Sequence, residues 1–329
     1  MDYKILGEKV MAGNYLSSSE IQTLVKSVRE NTISDIHFIH LLTAMETRNR
    51  IKGINTEEVV DFLNALKFDN KKSIDNLICC AGVGGDPIKT INISTPSAIL
   101  ASSFDLKILK HGYKSVTGKS GSRNIVEELG VNPFLTPKES LDQVKRIGIS
   151  YFDFKNTIIK EVRHGMKSPL HYMGALSHPF DLKYKILGTS NKALIPTLEG
   201  VLENLVENYM ITYNPNIDEI STLGETQIIE RRNDVKREYT FDPANFSFKI
   251  QNFSEIETLE SAKLNANFIQ ETFEGNNTSS YRDILNLNSG AILYLTGVAS
   301  SIEDGFYLSQ ENIQNGKAYE KLNQWRSDK

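Results

Sequence analysis

The chain has 329 residues, 40% of them apolar and 24% charged, which excludes a disordered, collagen-like or disulfide-stapled polypeptide. With 37 basic and 41 acidic residues the net charge is only -4, too little field to gather a polyanion, so nucleic-acid binding is not expected. No apolar run reaches the ~18 residues of a membrane helix. The opening stretch MDYKILGEKV lacks the pattern of a secretion signal, and the adjacent Cys79 and Cys80 are poorly placed for a disulfide. A soluble cytoplasmic protein is expected.

The first 67 residues read as helices. Ser17 and Glu20 form a capping box ahead of Ile21, Leu24, Val25 and Val28. Phe38, Leu41, Leu42 and Met45 repeat that helical spacing. So do Val59, Phe62, Leu63 and Leu66, behind a polar start at Asn55 and Thr56. The character changes at Lys71. Residues 77–80 are apolar without alternation, as in a buried parallel strand, and the loop Gly82-Val83-Gly84-Gly85-Asp86 follows. Thr95 is expected to cap a helix with Pro96 in its first turn. Residues 106–110 read as a strand, 112–121 as a polar loop and 124–129 as a helix stopped at Gly130. Thr136 and Glu139 make a second capping box, for a helix ending at Gly148.

Strands at 184–187 and 209–213 bracket a helix through Leu198, Val201, Leu202 and Leu205. Strands at 226–231 and 238–241 flank Asn233-Asp234 as a hairpin. Helices near 262–273 and 289–299 and one last amphipathic helix close the chain.

The chemistry concentrates between Ala81 and Gly130. Gly82, Gly84 and Gly85 let backbone N–H groups approach an anion with no Cβ between. Asn92, Ser94 and Thr95 place amide and hydroxyl groups at a helix N-terminus, where the dipole favours phosphate. Lys110, Lys114 and Lys119 surround a second small-residue loop, Gly118-Lys119-Ser120-Gly121-Ser122. Two such cradles on neighbouring strand ends point to a ligand with two phosphate groups; each loop alone reads equally as a tight turn. Neither the G-x-G-x-x-G nor the P-loop fingerprint is present.

The order AGVGGD, NIST, KHGYKSVTGKSGS and EELG resembles the anthranilate phosphoribosyltransferase family, whose usual run is GTGGD, NIST, KHGNR, then SKSGS or GKSGS and LEALG. Residues 174–179, GALSHP, are similar to its GPLTNP. Asp218-Glu219 with Glu230 resembles its acidic DE…E pattern, and Leu287-Asn288-Ser289-Gly290-Ala291 its LNA segment. The resemblance implies Mg²⁺-dependent transfer of ribose 5-phosphate from phosphoribosyl pyrophosphate to anthranilate, within tryptophan biosynthesis. It implies a donor site of Gly82, Gly85, Asp86, Thr90, Asn92, Ser94, Thr95, Lys110, His111, Gly112, Ser115, Gly118 and Ser122, and magnesium held by Ser94, Asp218 and Glu219. Without it, Asp218-Glu219 would read as a solvated acidic loop.

On the acceptor side the implied residues are Gly82, Tyr113 and Arg163. Here the chain departs from the family: Tyr113 stands for its asparagine, Tyr151-Phe152 for its His-Pro, Glu161 for its arginine and Ala175 for its proline. Another amine or heterocycle as acceptor, or a non-catalytic nucleic-acid-binding relative, are the alternatives. The expected fold is α/β: a mostly parallel central sheet with helices on both faces, plus a small all-helical domain. The helical domain is expected to hold residues 1–70 with helices inserted around 133–180, and to form a homodimer interface. The α/β domain is expected over 71–132 and 181–329.

Overall fold

The computed structural model describes residues 3–67, 74–112, 121–153, 168–246, 248, 252–276 and 279–328. In chain order they form helices α1 (Tyr3–Met11), α2 (Ser18–Arg29), α3 (Asp35–Lys52) and α4 (Thr56–Leu66). Then come β1 (Leu77–Gly82), α5 (Ser94–Ser102), β2 (Lys107–Gly112), α6 (Ser122–Glu128), α7 (Pro137–Ile147), β3 (Ile149–Asp153) and α8 (Leu170–Leu176). Next are β4 (Leu182–Thr189), α9 (Ile195–Leu205), β5 (Val206–Tyr213), β6 (Thr226–Arg232) and β7 (Val235–Phe241). Helices α10 (Ala262–Phe273), α11 (Ser280–Thr296), α12 (Ile302–Gln314) and α13 (Lys317–Ser327) finish the chain.

Two compact units result. The first comprises Met1–Ser73, Phe154–Asp181 and Pro196–Leu205. Its helices start where the sequence supplies caps: Ser17 and Glu20 cap each other's backbone at α2, and Asn55 accepts the Glu58 N–H at 2.7 Å in α4. Leu24, Val25, Phe38, Leu41, Leu42, Met45, Phe62 and Leu63 bury their apolar faces in the core of this unit. Inside it lies a buried ion pair, Arg48–Glu58; Glu58 also accepts the Leu16 N–H (2.7 Å), and Arg48 also donates to the Asn14 carbonyl (2.9 Å) and to Asn49 Oδ1 (2.8 Å).

The second unit, Ile74–Asp153, Leu182–Ile195 and Val206–Lys329, is built on a seven-stranded sheet of order β3-β2-β1-β4-β5-β6-β7. Strands β3 through β5 are parallel; β6 and β7 add an antiparallel edge. Ile78, Cys80, Ala98, Ala101, Ile108, Ile292 and Leu293 pack α5 and α11 onto one sheet face. The chain leaves β1 toward β2 on one side and enters β4 on the other. The crevice above β1 and β4 is therefore the point where strand order reverses, the place where open α/β sheets hold ligands.

Three local expectations change. Helix α5 begins at Ser94, so Thr95 lies inside the first turn and is not its cap; Asn92 Oδ1 accepts the Thr95 N–H at 3.0 Å. Helix α11 begins at Ser280, and the single last helix is two, α12 and α13, parted at Gly316 (φ 76°). The units also divide differently from the expected boundaries. Residues 149–153 pair in parallel with β2, which draws α7 and β3 into the sheet unit, whereas Pro196–Leu205 belong with the helices.

Candidate active site

Strand β1 ends at Gly82 and β4 carries Gly188 one residue before its end, and the two glycines are register partners. Their bare backbones admit the loop after β5. A β-carbon on Gly188 would lie 1.3 Å from the Asp218 carbonyl oxygen, and one on Gly82 would lie 2.0 Å from Asp218 Oδ2. The turn after β1 runs through positive φ at Gly84 (75°) and Gly85 (87°), and the Gly84 N–H donates to Asp218 Oδ2 at 2.8 Å. Asp86, which follows this turn, and Glu219 then complete a cluster: one carboxylate oxygen each from Asp86, Asp218 and Glu219 lie within 4.8 Å of one another.

Three acidic groups so close cannot all be charged without a counterion. Burial, then the neighbouring Asp218, pushes the Asp86 carboxyl up to about 8. Burial of its carboxyl group, with Asp218 and Asp86 beside it, raises Glu219 well above the usual carboxylate range, and Lys110 offsets this only in part. Asp86 Oδ1 is buried without a hydrogen-bond partner among the described residues. A hard oxygen-donor set with an orphaned carboxylate oxygen fits Mg²⁺.

Beside the carboxylates stands a buried cation. Lys110 of β2 is 2% exposed and donates to the Cys80 carbonyl (2.8 Å) and to Ser94 Oγ (3.0 Å) at the start of α5. Ser94, Asp218 and Glu219 line one small cavity of about 20 Å³ with Thr212, Ser97 and Asn288. Next to Ser94, Thr95 Oγ1 is buried in the first turn of α5 with no hydrogen-bond partner among the described residues. The alternation of a strand sends the next residue the other way: His111 Nδ1 lies 3.3 Å from Cys79 Sγ on the opposite face, apart from the carboxylates.

A second grouping forms at the end of β2, where Gly112 leaves room for Ser122 Oγ and Tyr151 OH, themselves 3.2 Å apart. Thr90 is placed by a backbone bridge to Glu257, and Ala175 is buried within α8. Glu230 does not join the acidic cluster. It faces Met210 across the β5–β6 pairing and accepts from Tyr294 OH (2.8 Å) and Tyr239 OH (3.2 Å). Tyr113, Ser115, Gly118, Glu161 and Arg163 lie outside the described residues.

Sequence reasoning placed Asp86 with the donor but not with the ion, missed Gly188 and Thr212, and named Asn288 only within the LNA-like segment, with no role. Gly188 left one trace, a glycine near a strand end like Gly82. The two polar residues are recognisable only once the acidic loop is folded beside them.

A mostly parallel sheet carries a glycine turn, a helix N-terminus and an acidic triad at its reversal point, and residues 74–319 match the glycosyl transferase family, a/b domain, which makes this an α/β glycosyltransferase. The anthranilate phosphoribosyltransferase of Acetivibrio thermocellus is 32% identical over 330 residues, spanning 96% of this chain and 94% of that protein. That of Haloarcula marismortui is 31% identical over 96% of this chain and 97% of its own length. The chain belongs to the anthranilate phosphoribosyltransferase family. The solved enzyme of Thermus thermophilus superposes with a TM-score of 0.85 at 21% identity, covering 98% of both chains. The enzyme of Saccharomyces cerevisiae in complex with PRPP and Mg superposes at 0.83 and 20% identity, over 98% of this chain and 96% of its own. Among the described residues no helix is long and apolar enough to cross a membrane.

Proposed function

We propose that the chain transfers the phosphoribosyl group of phosphoribosyl pyrophosphate to anthranilate, releasing pyrophosphate, in tryptophan biosynthesis. The observation that carries this is the Asp86–Asp218–Glu219 cluster at the sheet's reversal point, beside Lys110 and the start of α5. Asp86, Asp218, Glu219 and Ser94 would hold Mg²⁺. When bound, the ion supplies positive charge to the departing pyrophosphate.

The chain's own groups do the rest. The N–H groups of the Gly82–Gly85 turn and the start of α5, with Asn92, Ser94 and Thr95, hold the pyrophosphate; Lys110 orients Ser94. Thr90, Gly112, Ser115, Gly118 and Ser122 complete the donor site, without His111, whose ring faces Cys79 on the other side of the sheet; Gly82, Tyr113 and Arg163 receive the acceptor. The C1–O bond to pyrophosphate breaks, the neutral amine nitrogen bonds to C1 and then sheds a proton, and no protein group is covalently attached. Positioning of the amine against C1 is the main catalytic contribution.

The acting form is a homodimer joined through the helical unit, and the strongly charged donor, which does not cross membranes, favours a cytoplasmic enzyme. Pyrophosphate release is the test, measured with donor and Mg²⁺ while the acceptor is varied. Acceleration by anthranilate is expected. Release accelerated by a different amine or heterocycle, and not by anthranilate, would keep the donor chemistry and overturn the acceptor.

A further inference from the structure

We infer that Asn288, on α11, is a positioning residue for the acidic pair Asp218-Glu219; the inference rests on the metal-binding reading above. Ile220 directly follows Glu219, and both of its backbone groups are taken by one side chain. Asn288 Oδ1 accepts the Ile220 N–H at 3.0 Å, and Asn288 Nδ2 donates to the Ile220 carbonyl at 3.0 Å. The second Nδ2 hydrogen goes to the Ile284 carbonyl of α11 itself, at 2.9 Å. Both donors of the amide and its oxygen are thus engaged, which fixes the side chain to its helix and the loop to the side chain.

Two residues earlier the loop is gripped from the sheet, where Thr212 Oγ1 of β5 donates to the Asp218 carbonyl at 3.3 Å. The acidic pair is therefore held from β5 before it and from α11 after it. Helix α11 is in turn tied to α5, the helix that starts at Ser94, through Ser97 Oγ and the Leu285 carbonyl at 3.3 Å. One helix thereby sets the distance between the hydroxyl and the carboxylates that would share the ion, and Asn288 lines the same small cavity as all three. The mutual repulsion of Asp86, Asp218 and Glu219 pushes an unrestrained loop outward, and the amide clamp opposes that push. Groups that orient ligands without touching a metal typically govern its affinity by ~10–100-fold.

The test uses Mn²⁺ as the probe ion, its free concentration read by electron paramagnetic resonance in the presence of phosphoribosyl pyrophosphate. Asn288→Ala and the near-isosteric Asn288→Leu are each expected to weaken Mn²⁺ by about tenfold. The kcat of each recovers at saturating Mg²⁺. Ser289→Ala, next to Asn288 on α11, is the control for lost stability: it deletes a buried hydrogen bond donated by Ser309 of α12 and should leave Mn²⁺ binding unchanged. Mn²⁺ affinity within twofold of wild type in the Asn288 variants, or an equal loss in Ser289→Ala, would overturn the clamp. Donor-dependent Mn²⁺ that is absent from wild type, or that persists in Glu219→Gln, would overturn the metal reading and the clamp with it. Hydrogen exchange on wild type decides the matter should neither Asn288 variant fold. The Ile220 amide, bonded to a side chain, should exchange slowly, and exchange at the rate of an open loop would refute the proposal.

Discussion

A methyl group is the smallest probe of the crevice above the sheet, and its cost depends on which glycine receives it. At Gly188 the new carbon meets the backbone of Asp218, which cannot rotate away, so the acidic loop must shift. Gly188→Ala is expected to cost about 2–3 kcal/mol in urea unfolding and to abolish donor-dependent Mn²⁺ binding. At Gly85 a β-carbon has nothing within 4 Å among the described residues, and the penalty is that of holding alanine at φ 87°, about 1 kcal/mol. Titration gives a second residue-scale test at Lys185, which is buried on β4 opposite Cys79 of β1. Burial lowers its ammonium from 10.5 to about 8; Cys79 and Cys80 pull it back up and Lys110 adds to the lowering. Between those two values the unfolded chain holds a proton that the folded chain has shed, so this group makes stability rise with pH there. Wild type should gain up to about 3 kcal/mol between pH 8 and pH 10.5 relative to Lys185→Met, read by denaturant unfolding at each pH. A parallel change in the two proteins would show that Lys185 keeps its charge when folded.

Elements differ in how plainly they announce themselves. The β6–β7 hairpin closes between Arg232 and Val235, with Asn233 and Asp234 both at positive φ (51° and 62°). That is the two-residue turn whose twist matches its strands, and glycine suits its second position better than aspartate. Asp234→Gly should therefore stabilise by about 0.5–1 kcal/mol, seen as a raised Tm, and a lowered Tm would mean that the aspartate contributes more than its backbone strain costs. This hairpin and the capping boxes at Ser17 and Thr136 were readable because their signals are local, within four residues. The start of α11 was not. Tyr281, Ile284, Leu285, Asn286 and Leu287 are all buried, and a helix enclosed on every side shows no polar stripe to set its period. Strand β3 was hidden similarly: five fully buried residues follow the Gly148 stop with no alternation to mark them.

At the scale of the whole molecule, the phosphate-handling turns were legible because each is one contiguous stretch. The acidic cluster was not, since it joins two distant loops: the Gly84 N–H beside Asp86 and the Asp218 carboxylate it bonds stand 134 residues apart. Its members come from one chain, so each protomer carries a complete set of carboxylates, and this separates assembly from ion binding. The helical unit leaves Ile5 (61%), Met11 (58%), Ile36 (78%) and Ile51 (77%) exposed on α1 and α3. Ile36 and Ile51 are spaced ~22 Å along α3 and about 60° apart around it, so they mark one long stripe. Burying a large apolar side chain contributes about 1.5–3 kcal/mol, and a two-fold interface counts each of the four twice. The gross gain, on the order of 10–20 kcal/mol, is enough to meet the ~4–15 kcal/mol cost of association. Wild type should sediment at twice the 37.0 kDa chain mass at micromolar concentration, and Ile36→Asp/Ile51→Asp at the single mass. The double variant should nevertheless bind Mn²⁺ with donor present as tightly as wild type. A wild-type monomer would remove the helical stripe as an interface, and a monomeric variant without Mn²⁺ binding would mean that the second copy supports the acidic cluster after all.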